Sequence, residues 1–436
     1  MMRHSQLLLL ASGLFVAVSL HAQDSSRPPQ ESGPVVQLNV RSILIPVVVR
    51  DAQGREIGDL KEADFKVFDQ GKQRRLSGFS LQQGAAPWAQ QPAAGQAAGQ
   101  AEQAGTPGSP NAAAGATPRV VVLLFDDRHL SEGDLVEAKK AALQLLDRPL
   151  ADGTRVLVLS PLGANSGLTH NVVPLKAAIE KLKFRQPFLH DPGQCPDIDH
   201  FSADQILNKS NVTEYNNQVE KTLKCQHLDG NRPGDVLIAQ ATVKNAAETA
   251  MQQGDDDARQ SIGFLRDVVY SMSKLPGQRT LIFISPGFLS LSQDSMIMES
   301  QLMNLAAGSA VTLDTLDTRG LYSVIENADK SGDEGLASML SGASLENHKD
   351  ELRQNKQILA EFAEGTGGTF FHSNNDLAGG LAALAAGPEY RYLLELSLQD
   401  VKLNGAYHSV KVEVNRKDVK IQAREGYFAP LAPKGK

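Results

Sequence analysis

Hydrophobic and polar positions follow two different patterns along this chain. In residues 35–83, apolar and polar side chains alternate in short runs, such as residues 65–68, that end in turn residues such as Asp69-Gln70-Gly71. Alternation with a period of two is typical of strands that bury one face. We therefore predict a small N-terminal β-sandwich domain. Its Pro46 has no amide hydrogen, which places that strand at a sheet edge or a bulge.

After residue 118 the pattern changes to continuous apolar runs, each followed by helical spacing. Residues 120–125 are apolar throughout, as in a strand that is covered on both faces, and apolar positions then recur at helical spacing over residues 135–145. Further runs at residues 155–159 and 280–284 repeat this unit. Alternating strands and helices predict an α/β domain over residues 119–388, with a doubly wound, mostly parallel sheet between two helix layers.

Two stretches depart from this alternation. Residues 186–255 are polar and contain both cysteines of the chain, so we predict an insertion at one edge of the sheet. Residues 389–430 alternate again on both sides of Asn404-Gly405, a dipeptide that strongly favours a two-residue hairpin turn. The last segment is therefore predicted to form C-terminal β hairpins.

Two other segments are predicted to lie outside the folded core. Residues 1–22 combine Arg3 and His4, an apolar run and the small residue Ala22, which is the layout of a signal peptide. A retained N-terminal anchor is the alternative. Residues 84–118 are rich in Ala, Gln, Gly and Pro and contain almost no large apolar side chain, so they are predicted to form a disordered linker.

The signal peptide predicts an exported protein, periplasmic or extracellular. The apolar runs of the chain are shorter than the roughly 20 residues that cross a bilayer, so no transmembrane segment is expected in the mature chain. In an exported protein, a lone pair such as Cys195 and Cys225 favours a disulfide. The formal net charge of -7 over 436 residues gives no electrostatic reason to expect nucleic acid as a partner.

Several short motifs follow one another in a fixed order along the chain. They are Asp64-Phe65-Lys66-Val67-Phe68-Asp69-Gln70-Gly71, Leu124-Phe125-Asp126-Asp127, Ile284-Ser285-Pro286-Gly287, Asp317-Thr318-Arg319-Gly320-Leu321 and Arg424-Glu425-Gly426-Tyr427-Phe428. In this order they resemble the secreted bacterial proteins related to the von Willebrand factor A domain. The resemblance implies an exported protein with an A-type α/β domain between β segments, and it implies no known ligand.

The resemblance also implies a metal-ion-dependent adhesion site, although its motif is degenerate here. Such a site uses Asp-x-Ser-x-Ser after the first strand, a threonine in a second loop and an aspartate in a third, all as oxygen ligands of Mg²⁺. Counted from Asp126, the two serine positions hold Arg128 and Leu130. Counted from Asp127, they hold His129 and Ser131.

The other two loops are preserved to different degrees. Thr169 lies in the second loop, whereas Ser285-Pro286-Gly287 replaces the usual Thr-Asp-Gly of the third. Two interpretations stay open: these residues cap helices and shape loops, or they form a weak or water-mediated Mg²⁺ or Ca²⁺ site. The candidate metal ligands are Asp126, Asp127, Ser131, Thr169 and Ser285.

Two further acidic clusters have simpler explanations. The His, Asp and Cys residues between His190 and His200 match no metal-binding spacing and are interpreted as a polar surface loop. Asp255-Asp256-Asp257 is interpreted as an acidic start to a helix, where carboxylates complement the helix dipole.

No recognised catalytic or phosphate-binding motif occurs in the sequence. We therefore expect a non-catalytic exported protein that mediates protein–protein interaction or adhesion. Its protein partner is expected at the carboxyl edge of the parallel strands, where open α/β sheets bind ligands. The alternatives are a structural envelope component without metal, or a hydrolase that uses the 186–255 insertion.

Overall fold

A computed structural model describes residues 42–84, 117–184, 195–320, 342–402 and 404–430, with the side chains of residues 342–348 left aside. All of these residues belong to one compact unit, Val40–Lys436. The predicted signal peptide, residues 1–22, lies outside the described residues, as does the predicted linker apart from its ends. His190 and Asp191 also lie outside them.

The elements fall into three groups along the chain. The first group contains the strands β1 (Ser42–Arg50), β2 (Phe65–Asp69), β3 (Lys72–Arg74) and β4 (Leu76–Gln83), with a 3-10 turn at Glu62–Asp64. The second group alternates between the parallel strands and the helices: β5 (Arg119–Phe125), α1 (Glu132–Leu145), β6 (Thr154–Leu159), α2 (Val172–Lys181), α3 (His200–Leu207), α4 (Val212–Cys225), α5 (Pro233–Ser273), β7 (Gln278–Ser285), α6 (Gln293–Ser309), β8 (Val311–Asp317), α7 (Gly342–Thr366), β9 (Phe370–Phe371) and α8 (Leu377–Ala386). The last group contains β10 (Tyr390–Ser397), β11 (Tyr407–Val414), β12 (Lys420–Ala423) and β13 (Gly426–Phe428).

The second group forms a five-stranded parallel sheet between two helix layers, which confirms the α/β class. The strand order is β6-β5-β7-β8-β9. All seven residues of β5 and all seven of β8 are buried, as expected for strands covered on both faces. Helices α1, α2 and α8 pack on one face of the sheet, and α5, α6 and α7 pack on the other.

The strand order places a topological switch point at β5. The chain adds β6 on one side of β5 and then returns to add β7 on the other. Successive connections therefore leave in opposite directions, and a crevice opens between the loops that follow β5 and β7. Ligands of open α/β sheets bind in this position.

The first and last groups of strands form one β sandwich. Its two sheets have the orders β12-β1-β10-β4 and β13-β11-β2-β3, so each sheet combines strands from both ends of the chain. The prediction of separate β regions at residues 35–83 and 389–430 is therefore wrong. Each segment alone would leave strands that are marginally stable in water, whereas together they enclose one apolar core. The predicted hairpin at Asn404-Gly405 is also wrong, because β10 and β11 lie in different sheets.

Strand β1 is an interior strand, so the expectation of an edge position for Pro46 is wrong. Strand β10 pairs with Ser42 to Val47, which includes Pro46, and β12 pairs with Val47 to Arg50 on the other side. Pro46 thus lies just beyond the end of the β12 pairing. The missing amide hydrogen of Pro46 is tolerated because the pairing of β1 with β12 begins only at Val47.

The insertion is helical and continues directly into the α/β domain. Helix α5 is 41 residues long, and its first half packs with α3 and α4 around a small separate core. Cys195 and Cys225 are joined in a disulfide, which confirms their predicted pairing. Asp255-Asp256-Asp257 lies well inside α5, so its interpretation as the start of a helix is wrong. No helix among the described residues is long and apolar enough to cross a membrane.

Candidate functional site

The switch point brings two of the predicted site residues into direct contact. Asp126 follows β5 and Ser285 ends the neighbouring strand β7. The Ser285 hydroxyl donates to Oδ2 of Asp126 at 2.6 Å, and the amide of Gly287 donates to the Ser285 hydroxyl at 2.9 Å. Both side chains are buried, with Asp126 only 1% exposed.

His129 joins Asp126 to the long helix α5. Its Nδ1 lies 2.9 and 2.8 Å from the two carboxylate oxygens of Asp126, and its Nε2 lies 2.5 Å from Oδ2 of Asp257. Arg128 donates to the other oxygen of Asp257 through both Nε and Nη2. The His129 ring also stacks on Phe288, with ring centroids 5.2 Å apart. We call Asp126, Arg128, His129, Asp257 and Ser285 the carboxyl-edge network.

The charges in this network support one another. Burial alone would lower the pKa of His129, but the two carboxylates outweigh burial and raise this pKa to about 10. Burial would likewise raise the pKa of Asp257, but His129 and Arg128 lower it to about 2. His129 is therefore an imidazolium at neutral pH, and both of its ring nitrogens donate hydrogen bonds to carboxylates.

The remaining predicted site residues lie apart from this network or serve local roles. Oδ1 of Asp127 accepts from the amide of Leu162 at 3.1 Å. Ser131 caps α1 by accepting from the amide of Asp134 at 3.1 Å.

Thr169 does not reach the carboxyl edge. Its backbone pairs with Val156 in both directions, because the loop after β6 folds back along the strand. Val156 lies three residues before the end of β6, so Thr169 is displaced by about 10 Å along the strand direction.

These contacts do not fit the ligand set of a Mg²⁺ or Ca²⁺ site. Both oxygens of Asp126 already accept hydrogen bonds, the nearest neighbours include the cations His129 and Arg128, and Thr169 is distant. A divalent cation prefers several free oxygen ligands. In the described part of the chain, no group of three or more His, Cys, Asp or Glu side chains is arranged to hold a metal ion. Metal binding at these residues stays a prediction that an ion titration must test.

The next strand carries a second neutralised carboxylate. Asp317 ends β8 and is fully buried, and Arg319 donates to its two oxygens at 2.8 and 3.1 Å. Lys356 of α7 lies 3.7 Å from the same carboxylate. Because β7 and β8 are neighbours, with Ser285 opposite Asp317, this ion pair extends the charged edge beside the network.

The solvent side of this edge is partly apolar and partly cationic. Arg128 and Lys356 are partly exposed, while the carboxylates behind them are buried. In the first turns of α6, which begins just after the β7 loop, Met296 and Ile297 are 51% and 45% exposed. A pocket of about 360 Å³ lies at the same edge, beside Asp127.

The sequence contained a signal for only part of this network. Asp126 and His129 are three residues apart in one turn, a spacing at which their side chains can meet, yet the motif placed His129 only at a serine position of the degenerate adhesion site. Asp257 is 128 residues away from His129, and only the packing of α5 brings it to the edge. No sequence pattern indicated that contact.

Comparison with known proteins adds no family assignment. No protein-family model matches the chain, and no curated protein matches it. The function is therefore argued from the residues of the site.

Proposed function

We propose that this chain is a non-catalytic binding protein that recognises a protein partner at the carboxyl edge of its parallel sheet. The observation that carries the proposal is the neutralisation of Asp126, Asp257 and Asp317 by cations of the chain itself. The cations take the place that a bound metal has in adhesion sites of the A-type fold. The edge then needs no ion to attract an acidic group.

The partner's chemistry follows from the composition of the edge. Arg128 and Lys356 offer partly exposed positive charge, and Met296 and Ile297 offer exposed apolar surface beside it. A protein surface that combines a carboxylate with apolar side chains complements both features. The hydrogen bonds behind the cations hold them in place before binding, which lowers the entropy cost of association.

The same contacts argue against a catalytic role for the network. A general base needs a nitrogen that can accept a proton, but both nitrogens of His129 already donate to carboxylates. A serine nucleophile needs a base on its hydroxyl and access to substrate, but Ser285 donates to Asp126 and is fully buried. Binding is the function that fits this geometry.

Export is part of the proposal. The disulfide between Cys195 and Cys225 is compatible with an oxidising compartment, the periplasm or the outside of the cell. The kinship with secreted proteins related to the von Willebrand factor A domain rests on the motifs of the sequence and belongs to the same proposal.

The test compares two matched pairs of exposed apolar residues. Immobilised chain is incubated with the exported-protein fraction of its own cells, and the captured proteins are quantified by mass spectrometry. In the edge variant, Met296→Asp and Ile297→Asp are combined. In the control variant, Leu237→Asp and Ile238→Asp alter an equally exposed apolar pair at the far end of α5.

We expect one partner to be captured by the wild-type chain and by the control variant and to be reduced at least about tenfold by the edge variant. Capture that survives in the edge variant, or is lost only in the control variant, would place the partner elsewhere and contradict the proposal. The Lys356→Ala variant sharpens the result, because loss of one attractive rim charge should weaken capture slightly at low salt and reduce its salt sensitivity.

A further inference from the structure

A second pocket lies at the opposite, amino edge of the parallel sheet, where the sheet meets the β sandwich. It has a volume of about 570 Å³, within the range typical of small-molecule sites. Its walls come from β1 and the turn that follows it, from the start of β8, from the end of α8 and from the start of β10. The residues that define it here are Pro46, Val48, Thr312, Asp314, Leu384 and Arg391.

Arg391 is a buried cation whose side chain forms no ion pair or hydrogen bond with the described residues, although Asp314 and Glu56 are near enough to stabilise its charge. Its side chain lines the pocket, the residue is 5% exposed, and its buried Nη1 has no hydrogen-bond partner among the described residues. A buried, unpaired guanidinium nitrogen is costly, since it has lost its water and gained no acceptor. An orphaned donor of this kind on a residue that lines a pocket indicates a missing acceptor.

The surroundings add positive charge to the pocket. Two more arginines, the buried Arg119 and the half-buried Arg279, donate to backbone carbonyls, which leaves their charges in place; Nε of Arg279 also has no hydrogen-bond partner among the described residues. Burial lowers the pKa of Arg391 to about 10; Arg119 and Arg279 add to this effect, whereas Asp314 and Glu56 oppose it, and Arg391 stays ionised at neutral pH. Glu56, which pairs with Arg50 at 3.1 Å, offsets only part of this positive charge.

Asp314 shares the pocket but does not satisfy Arg391. Its Oδ1 accepts from the amide of Thr369 at 2.7 Å, and no ion pair or hydrogen bond joins it to Arg391 within the described part of the chain. Burial raises the pKa of Asp314 to about 6, against the effects of the Thr369 amide and of Arg391. This carboxyl group is therefore easily protonated when an anion enters beside it.

One part of the pocket wall is suited to an apolar group, whereas the rest is polar and carries Arg50, Arg55, Glu56 and Glu389. Pro46, Val48 and Leu384 line the apolar part, and the hydroxyl of Thr312 is buried without a hydrogen-bond partner among the described residues. The pocket thus combines an unpaired cation, an unpaired hydroxyl and an apolar wall. A planar carboxylate matches the fork of donors on a guanidinium group.

We propose that this amino-edge pocket binds a small carboxylic acid with a short apolar tail, whose carboxylate accepts from Arg391 and Thr312. The tail would lie against Pro46, Val48 and Leu384. The site is separate from the protein-binding edge, which lies at the other end of the parallel strands. Binding here does not depend on the function proposed for that edge.

The experiment is a calorimetric titration of the folded mature chain with hexanoate. Its neutral isostere hexanamide and inorganic phosphate are titrated in parallel. We expect saturable binding of hexanoate at millimolar concentration or below, and affinity at least about tenfold weaker for hexanamide, because an amide lacks the charge that Arg391 recognises. Phosphate is expected to bind more weakly than hexanoate.

Variants identify the residue responsible. Arg391→Met should abolish hexanoate binding, and Arg391→Lys, which keeps the charge but loses the planar fork, should weaken it by about tenfold. Arg266→Met is the matched control, since Arg266 is a surface arginine of α5 that does not line the pocket; it should bind hexanoate within about threefold of the wild type. A thermal melt of each variant verifies that it is folded.

Three results would each overturn the proposal. These are equal binding of hexanoate and hexanamide, no binding of hexanoate at millimolar concentration, and tighter binding of phosphate than of hexanoate. Unchanged binding by folded Arg391→Met and Arg391→Lys variants would likewise assign the carboxylate to a different place.

Discussion

The two edges of the parallel sheet carry similar residues in opposite states. At the carboxyl edge, Asp126, Asp257 and Asp317 are each paired with a cation of the chain. At the amino edge, Arg391 is as deeply buried but lacks a partner for one of its nitrogens. A network in which every buried polar group has a partner holds the structure in place. A network with an unpaired buried group carries a desolvation cost that a bound ligand can remove. The carboxyl edge thus has its buried charges paired within the chain, whereas the amino edge lacks a hydrogen-bond acceptor for Arg391.

The largest expected effect on stability comes from removing one carboxylate from the carboxyl-edge network. Asp257→Asn should lower the free energy of unfolding by about 3–5 kcal/mol, because it leaves His129 and Arg128 without their shared carboxylate. Denaturant unfolding monitored by circular dichroism measures this. The neighbouring Asp256→Asn is the control, because its carboxylate is half exposed and pairs with Arg259 on the surface of α5. It should change stability by no more than about 0.5 kcal/mol, and equal losses in the two variants would refute the special role of the network.

The second effect is a loss of stability at alkaline pH. Because the folded pKa of His129 is raised to about 10 from an ordinary 6.5, its bridge contributes fully below pH 6.5 and is lost as the pH rises through 10. The stability difference between the wild type and His129→Gln should therefore shrink by about 4 kcal/mol between pH 6 and pH 10. Unfolding curves at several pH values test this, and a difference that is independent of pH would show that the imidazole is neutral in the fold.

A smaller effect of opposite sign is expected at the amino edge. Arg391→Met replaces an unsatisfied buried cation with an apolar side chain of similar length, so stability should stay the same or rise by about 1 kcal/mol. Arg424→Met provides the contrast. Arg424 is also buried, but its guanidinium donates to the carbonyls of Gly426 and Gly365, so its loss should destabilise the chain. If both variants were destabilised equally, Arg391 would have a partner in the folded chain.

The smallest expected effect is that of divalent ions. Calorimetric titration of ion-free chain with Mg²⁺, Ca²⁺ and Mn²⁺ should show no saturable binding tighter than on the order of 1 mM, since Asp126 is already occupied by His129 and Ser285. Asp126→Ala serves as the baseline. Tighter binding that disappears in this variant would show that an ion can displace His129, and the adhesion-type site would then be functional.

The sequence was informative wherever a local pattern determines the structure. The apolar run before Asp126 predicted a doubly covered strand, and the lone cysteine pair predicted the disulfide. The turn after β5 also placed Asp126 at the switch point, beside the residue that ends β7.

The sequence was uninformative wherever a contact depends on packing between distant segments. Periodicity cannot show that strands from the two ends of the chain share both sheets, because alternation indicates a buried face and not the neighbouring strand. The polar first half of α5 likewise gave no indication of a continuous helix. Asp257 was therefore predicted at the start of a helix, whereas it lies inside one. Arg391 gave no signal, since an arginine in an alternating strand is normally solvated.

The mixed sandwich has a mechanical consequence for the chain. Strand β1 comes from the start of the described chain, and it pairs with β10 and β12, which follow the α/β domain. Tension applied between residues 42 and 430 is therefore resisted first by the hydrogen bonds of the sandwich. Residues 119–388 lie between β4 and β10, which pair with each other, so this segment is outside the path of that force. The charged edge of the parallel sheet therefore keeps its shape until the sandwich unfolds.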